Sequence, residues 1–480
     1  MSARTRELFG LLPVSLLVAA GFAAVLSTRT ENVSDATLTY GAFFLGLCVL
    51  AHLFIRARLP DADPYMFPLA AVLAGIGLVL IYRIDAELAR EQAQWFVVGL
   101  AFFCVTILLV HDHHVLERNR YTIAAASIGL LLLPRLPGIG AQVNGAFLAI
   151  KIGPIQFQPA EFAKLGIIVF LASYLRETGE LLVRPRLRPL PYQRQLLLWG
   201  IPAILTLLGV AVLDLGVAGS ILLAVFLFSF AAVVRDRPSP KHFGPLLLVW
   251  GLAMLMLIVI RDLGSSLMFF GGFLALLWVA TARIALIGVG VTMFFGGAFY
   301  LSQNVAHVKE RVDIWLDPFA KNVVNDEGYQ LAQSLFAQAD GGLFGQGFGQ
   351  ALLELPGGGT ILPAAHTDLI YAVLTNEAGL FGAAGLIGVY LLLVYRGLRT
   401  ALSAADGFSK LLATGLIAVL AIQVFVIVGG VTRVIPLTGV TLPFVSYGGS
   451  SIVANMVLLA LLLVVSDHAR SEARRRGGLV

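Results

Sequence analysis

The chain has 480 residues, 58% hydrophobic and 13% charged, with a mean hydropathy of +0.88. Soluble domains carry about 25% charged residues, so this composition excludes a soluble enzyme and indicates apolar runs long enough to cross a bilayer. The net charge of +5 lies mainly in short loops between those runs, which suits contact with anionic membrane lipid and argues against nucleic acid.

In chain order, apolar segments fall near 8–27, 38–55, 66–82, 94–110, 121–134 and 161–175, then near 197–213, 216–234, 243–260, 265–281 and 284–301, and finally near 369–395, 411–431 and 448–466. The expected fold is an all-α polytopic membrane protein with about fourteen transmembrane helices. The first run lacks a small-residue cleavage site and is read as a retained helix rather than a signal peptide. Cys48 and Cys104 fall inside apolar runs, as small core residues do.

Charge bias orients the segments. Arg4 and Arg6 at one terminus and Arg470, Arg474, Arg475 and Arg476 at the other are basic, as are alternate loops carrying Arg56, Arg118, Arg186, Arg235 and Arg396. Basic loops stay inside, so both termini are expected to be cytoplasmic. Three long stretches then lie outside: 135–161, 302–368 and 432–447. The first, punctuated by Gly and Pro, reads as a re-entrant segment buried within protein. The second is rich in glycine but holds Trp315, Phe319, Tyr329 and Phe336, and so is expected to fold back on the bundle.

Ionisable residues near membrane spans are functional candidates by default. Glu161 and Lys164, three residues apart after Pro159, share a helix face and can pair; a plain helix-end ion pair is the simpler reading. Asp262 in "RDLGSS" reads alone as a turn with an N-cap. Asp368, in "LPAAHTDLIY", falls in the first turn of its helix, where capping is the simplest role. Its neighbours His366 and Thr367, and Asn376 and Glu377 deeper in the span, argue for more. Glu377 lies about 13.5 Å further along and on the opposite face, a place for holding helices together. "HDHH" at 111–114 resembles a metal cluster, but contiguous ligands rarely converge on one ion, so it reads as a solvated interfacial loop.

The motifs together resemble one family. "NGA" at 144–146, "QPAEFAK" at 158–164, "RDLGSS" at 261–266 and "RVDIWLDPF" at 311–319 run in its order. So do "GYQLAQSLFA" at 328–337, "GGLFGQGFG" at 341–349, "LPAAHTDLIYAVLTNEAGLFG" at 362–382 and "LPFVSYGGSS" at 442–451. The sequence resembles the SEDS proteins, the RodA/FtsW-type peptidoglycan polymerases, over about residues 66–467. That resemblance implies a ten-helix core, with an extra helix pair at 1–60, a second pair inserted at about 197–234 and a long extracellular loop at about 302–368.

It also implies an activity: polymerising lipid II into glycan strands on the outer face of the bacterial cell membrane. The growing chain is the donor, undecaprenyl diphosphate leaves, and the incoming lipid II supplies its 4-hydroxyl. Asp368 corresponds to the family's essential acid, the proposed general base. Glu161, Lys164, Asp262, His366, Thr367, Ser446 and Tyr447 fall at matching motif positions and are expected to bind substrate. Arg90 and Arg311 are further candidates to face the diphosphate, with Mg or Mn as a candidate cofactor. The implied partner is a class B penicillin-binding protein. Departures include Ala160 for the family's Ser, Asn376 for a Glu and Ile427 for an Asn. A lipid II flippase and a non-catalytic scaffold for the transpeptidase are the alternatives. The absence of paired broken half-helices weighs against the first, and retention of the acids against the second.

Overall fold

The computed structural model describes residues 3–28, 33–137, 139–143, 146–152, 155–182, 192–213, 217–236, 251, 262–321, 323–324, 326, 328–351, 354–355 and 359–476. Among them, nine helices are long and apolar enough to cross a membrane. These include α1 (Ala3–Thr28), α2 (Val33–Arg58), α3 (Met66–Ile84) and α4 (Ala86–Leu109). Two short helices follow, α5 (His114–Arg118) and α6 (Arg120–Leu132), and then α7 (Ala160–Leu182), α8 (Tyr192–Leu213) and α9 (Val217–Asp236). Later in the chain come α10 (Leu263–Thr281), α11 (Ile284–Asn304), α12 (Ala306–Leu316) and α13 (Tyr329–Gly341). The chain ends with α14 (Ile370–Ser403), α15 (Gly407–Val431) and α16 (Gly449–Arg475). Helices α6 to α9 coincide with four further predicted segments. Apart from residue 251, the predicted segment at 243–260 lies outside the described residues, as do Arg261 and the first two residues of "NGA".

Helix α16 is the axis of the bundle, with Leu462, Leu463, Val464 and Val465 all fully buried. The first helix joins the same core: Val18 and Val25 are fully buried, and Phe22 meets Tyr82 of α3 edge-on at 5.2 Å.

Two long stretches differ from a plain loop. Three strands, β1 (Gly140–Val143), β2 (Ala146–Ile152) and β3 (Ile155–Phe157), form an antiparallel sheet rather than a re-entrant segment. The strand pairing satisfies backbone groups that a re-entrant coil would leave to its surroundings. The helical expectation misses this sheet because the strands are short and half apolar. The stretch 302–368 does fold back on the bundle, through α12 and α13. Trp315 Nε1 donates to Arg433 O at 3.1 Å, and Ser334 Oγ donates to Val431 O at 3.2 Å.

Helix α14 explains why that stretch is held so firmly. Its 34 residues would span roughly 51 Å, well beyond a hydrocarbon core of about 30 Å. Gly379 breaks it with φ +66°, leaving backbone groups on both sides without helical partners. The "GGLFGQGFG" loop takes them up. Gln346 N and Gly347 N donate to the carbonyls of Asn376 and Glu377 at 2.8 and 3.1 Å, while Leu380 N and Phe381 N donate to Gly342 O and Leu343 O at 2.9 and 3.2 Å. Glu377 pairs with Arg83 at 3.1 Å, and Arg83 Nη2 also donates to Gly349 O and Ala351 O at 2.7 and 2.9 Å. Glu377 thus holds elements together, as its depth in the span predicted.

The "HDHH" loop is only partly solvated. His113 is buried, with Nε2 against Ser409 Oγ and its ring edge-on to His468 at 5.0 Å. The loop's last turn docks on the N-terminus of α15, so packing overrides what its polarity suggested.

Candidate active site

Asp368 lies just outside its helix. The helix begins at Ile370, Leu369 is its cap residue, and no side chain caps it. Ala364, at φ +54°, closes a tight turn by accepting from Thr367 N and Leu369 N at 3.0 and 3.2 Å, which delays the helix. The expectation of a first-turn capping acid is therefore corrected. The carboxylate is available for another task.

Burial pushes the Asp368 carboxyl from the ordinary 3.8 up to about 6, against a hydrogen bond from Thr367 and the positive charge of Arg311. Its Oδ2 faces Gly439, where an added Cβ would lie 3.3 Å away, and Gly439 itself sits at φ +71°. Glycine there meets two demands: a left-handed turn and room for the carboxylate.

The turn before Asp368 is clamped to the "LPFVSYGGSS" segment. Tyr447 N donates to His366 O at 2.8 Å, and Ser446 Oγ donates to Thr367 O at 2.6 Å. Helix α4 holds that segment from behind. Gln92 Nε2 donates to Ser446 O, and Gly448 N donates to Gln92 Oε1, both at 3.2 Å. The Tyr447 hydroxyl donates to Glu91. Burial and the Glu91 charge push that phenol upward, so it remains a donor. Burial lowers His366, keeping its imidazole neutral, and its ring meets Tyr447 edge-on at 5.6 Å.

The other acids reach the same segment from different helices. Asp262 caps α10, its Oδ1 accepting from Ser265 N at 2.9 Å, which bears out the N-cap reading. Burial raises its carboxyl despite the Ser265 bonds; the Glu161 charge raises it further and Arg311 opposes. Lys164 and Glu161 are both buried and pair at 2.6 Å. Lys164 Nζ also donates to Gln423 Oε1 at 2.8 Å, and Gln423 Nε2 donates to Thr441 O at 2.8 Å. Arg311 of α12 donates to Leu437 O at 2.7 Å and faces both Asp262 and Asp368 electrostatically.

Arg90 does not join them. The buried face of α4 runs through Ala89, Gln92, Phe96 and Gly99, and Arg90 points away, exposed, with no ion pair among the described residues. Gln423 and Gln92 escaped the sequence reading. Gln423 is the single amide of an apolar helix, which is itself a signal at membrane depth, whereas Gln92 sits in the polar opening of α4 beside Glu91 and Gln94 and carries no such signal. Gln423 sits one turn before Ile427, so an amide is still present on that face of α15.

The arrangement is a buried carboxylate of raised affinity for protons, a nearby guanidinium, and an ammonium–carboxylate pair, all fixed by one connecting segment. Glu161, Asp262 and Asp368 supply hard oxygen donors but do not converge as a three-ligand cage. Among the described residues, only His113, His114 and Asp406, at the other end of α14, bring three ligating atoms within 4.8 Å.

The chain as a whole is similar to known proteins. Residues 64–235 and 221–471 match the cell cycle protein family of FtsW, RodA and SpoVE. Peptidoglycan glycosyltransferase RodA of Mycobacterium bovis is 35% identical over 484 residues, covering 98% of this chain and 92% of that protein. Stage V sporulation protein E of Bacillus subtilis is 28% identical over 421 residues, covering 85% and 98%. A chain from a structure on the coordination of polymerization and crosslinking by a peptidoglycan synthase complex aligns with TM-score 0.57 and 26% identity, over 85% of this chain and 98% of that one. A mutant of the rod shape determining protein RodA from Thermus thermophilus aligns with TM-score 0.50 and 25% identity, over 84% and 97%. With the family's signature spanning nearly all of the chain beyond α2, this protein belongs to the FtsW/RodA/SpoVE family.

Proposed function

We propose that the chain is a peptidoglycan glycosyltransferase that polymerises lipid II, with Asp368 as the general base. The observation that carries this reading is the buried Asp368 carboxylate, held outside its helix and against Gly439, where burial pushes its pKa up to about 6 and the Arg311 charge opposes. A base whose pKa lies just below the working pH is mostly ionised yet still attracts a proton. Asp368 takes the proton of the incoming 4-hydroxyl as that oxygen bonds to the anomeric carbon of the growing chain. The bond from that carbon to the diphosphate breaks, and undecaprenyl diphosphate leaves with the electron pair.

The leaving diphosphate needs positive charge. Arg311 is the cation whose charge acts on Asp368, and Lys164 is a second, buried cation held by Glu161 and Gln423. Mg²⁺ ordinarily takes one or two carboxylates and completes its shell with phosphate oxygens. Asp262, which takes no part in the proton transfer, suits that role alongside the substrate's diphosphate, where Mg²⁺ or Mn²⁺ would neutralise leaving-group charge. His366, Thr367, Ser446 and Tyr447 shape the wall of the site through their mutual hydrogen bonds.

The Asp368 end faces outward, since the opposite end carries Arg396, Arg399, Arg470 and Arg474. A class B penicillin-binding protein is the partner, a reading supported by the alignment with a chain of a peptidoglycan synthase complex that coordinates polymerization and crosslinking. The deciding experiment is the purified chain with such a partner and lipid II. Glycan polymer that disappears in Asp368→Asn supports the reading. Lipid II scrambling without polymer would replace the polymerase by a flippase.

A further inference from the structure

At the end of α14 away from Asp368 lies a cleft of about 340 Å³ bounded by α1, α14, α16 and the turn before α3. Its walls carry Arg6, Arg396, Arg399 and Arg470 against a single acid, Asp63. Asp63 is shared: Arg396 Nε donates to it at 3.1 Å, and Arg470 Nη1 lies 3.5 Å away. Arg6 and Arg399 have no carboxylate partner among the described residues. Arg470 Nε is shut off from solvent without a hydrogen-bond acceptor. Four cations around one anion leave an excess of three positive charges, and an unfilled buried donor faces the same place.

A second feature adjoins the cleft. Leu391, Tyr395, Leu398 and Leu402 are all exposed on α14, at spacings of four, three and four residues. They form one apolar stripe that ends beside Arg399. An ionic cleft with an apolar track leading from it matches a molecule with a phosphate head and a hydrocarbon tail.

We propose that this cleft binds the phosphate headgroup of an anionic glycerophospholipid, its acyl chain lying along the α14 stripe. The site is independent of the polymerase activity. Because Arg6 belongs to α1 and the other cations to α14 and α16, the bound lipid would fasten the first helix to the rest of the bundle.

Native mass spectrometry of the delipidated chain, exposed in turn to phosphatidylglycerol, phosphatidylcholine and glycerol 1-phosphate, tests this. One phosphatidylglycerol is expected to be retained in preference to phosphatidylcholine, with glycerol 1-phosphate held far more weakly. Arg6→Gln/Arg399→Gln should weaken phosphatidylglycerol retention by about 30-fold, from roughly a factor of five per interfacial arginine. Arg6→Lys/Arg399→Lys keeps both charges and should retain the lipid, which separates lost binding from lost folding. Equal retention of the two lipids, or undiminished retention in the Gln variant, would overturn the proposal. Glycerol 1-phosphate binding as tightly as phosphatidylglycerol would also overturn it, by reducing the site to one for free anions.

Discussion

Replacing Asp368 by Asn should do two opposite things at once. It keeps the shape of the side chain but removes the base, so polymerisation of lipid II should fall about 10²–10⁴-fold at pH 7.5. It should also stabilise the protein. The folded state holds this proton up to about pH 6, against 3.8 for an ordinary carboxyl, so ionised Asp368 costs stability that appears as pH rises from 4 to 6. At 1.36 kcal/mol per pH unit, that cost is about 3 kcal/mol at pH 7.5 and roughly half as much at pH 5. The wild-type rate should follow the ionised fraction, about 97% at pH 7.5 and about 9% at pH 5 for a group near 6. The assay is glycan polymer from lipid II across that pH range, paired with thermal unfolding of both proteins in detergent. Polymer from Asp368→Asn within twofold of wild type, or a rate flat down to pH 5, would refute the general-base role. An Asn variant less stable than wild type at pH 7.5 would refute the burial reasoning.

Other outcomes follow from neighbouring contacts. Arg311→Leu removes the cation that opposes protonation of Asp368, so the acid limb of the rate profile should move above pH 6; an unmoved limb would separate the two groups. Gly439→Ala places a Cβ 3.3 Å from the Asp368 carboxylate in a left-handed turn, costing about 1–2 kcal/mol in strain. Its polymerisation rate should drop by at least roughly tenfold through misplacement of the base. Lys164→Met strands the buried Glu161 and should destabilise by about 3–5 kcal/mol, while Glu161→Gln/Lys164→Met recovers most of that in a thermal melt.

Much of the molecule is legible along the chain. Hydropathy alone locates the long apolar helices among the described residues, because a bilayer imposes a length and excludes charge. The N-cap of Asp262 and the spacing of Glu161 and Lys164 are local features, and both hold in three dimensions. The helix start at Asp368 did not, since the positive-φ turn at Ala364 depends on clamps from Ser446 and Tyr447, about 80 residues away. Arg90 lies apart from the other candidates for a related reason: nothing in its neighbourhood of the sequence says which face of α4 turns inward.

Membrane class, candidate acids and family motifs can all be read from the order of residues. That the 437–448 segment gathers Arg311, Asp368, Gln423 with Lys164, and α4 around one site emerges only from the packed bundle. The physical reason is the solvent. In water, an apolar stripe tells a helix which face to bury, but in lipid both faces are apolar and the stripe disappears. Which helices meet is then settled by small residues, kinks such as Gly379 and isolated polar contacts such as Gln423 to Thr441, whose partners lie far away along the chain.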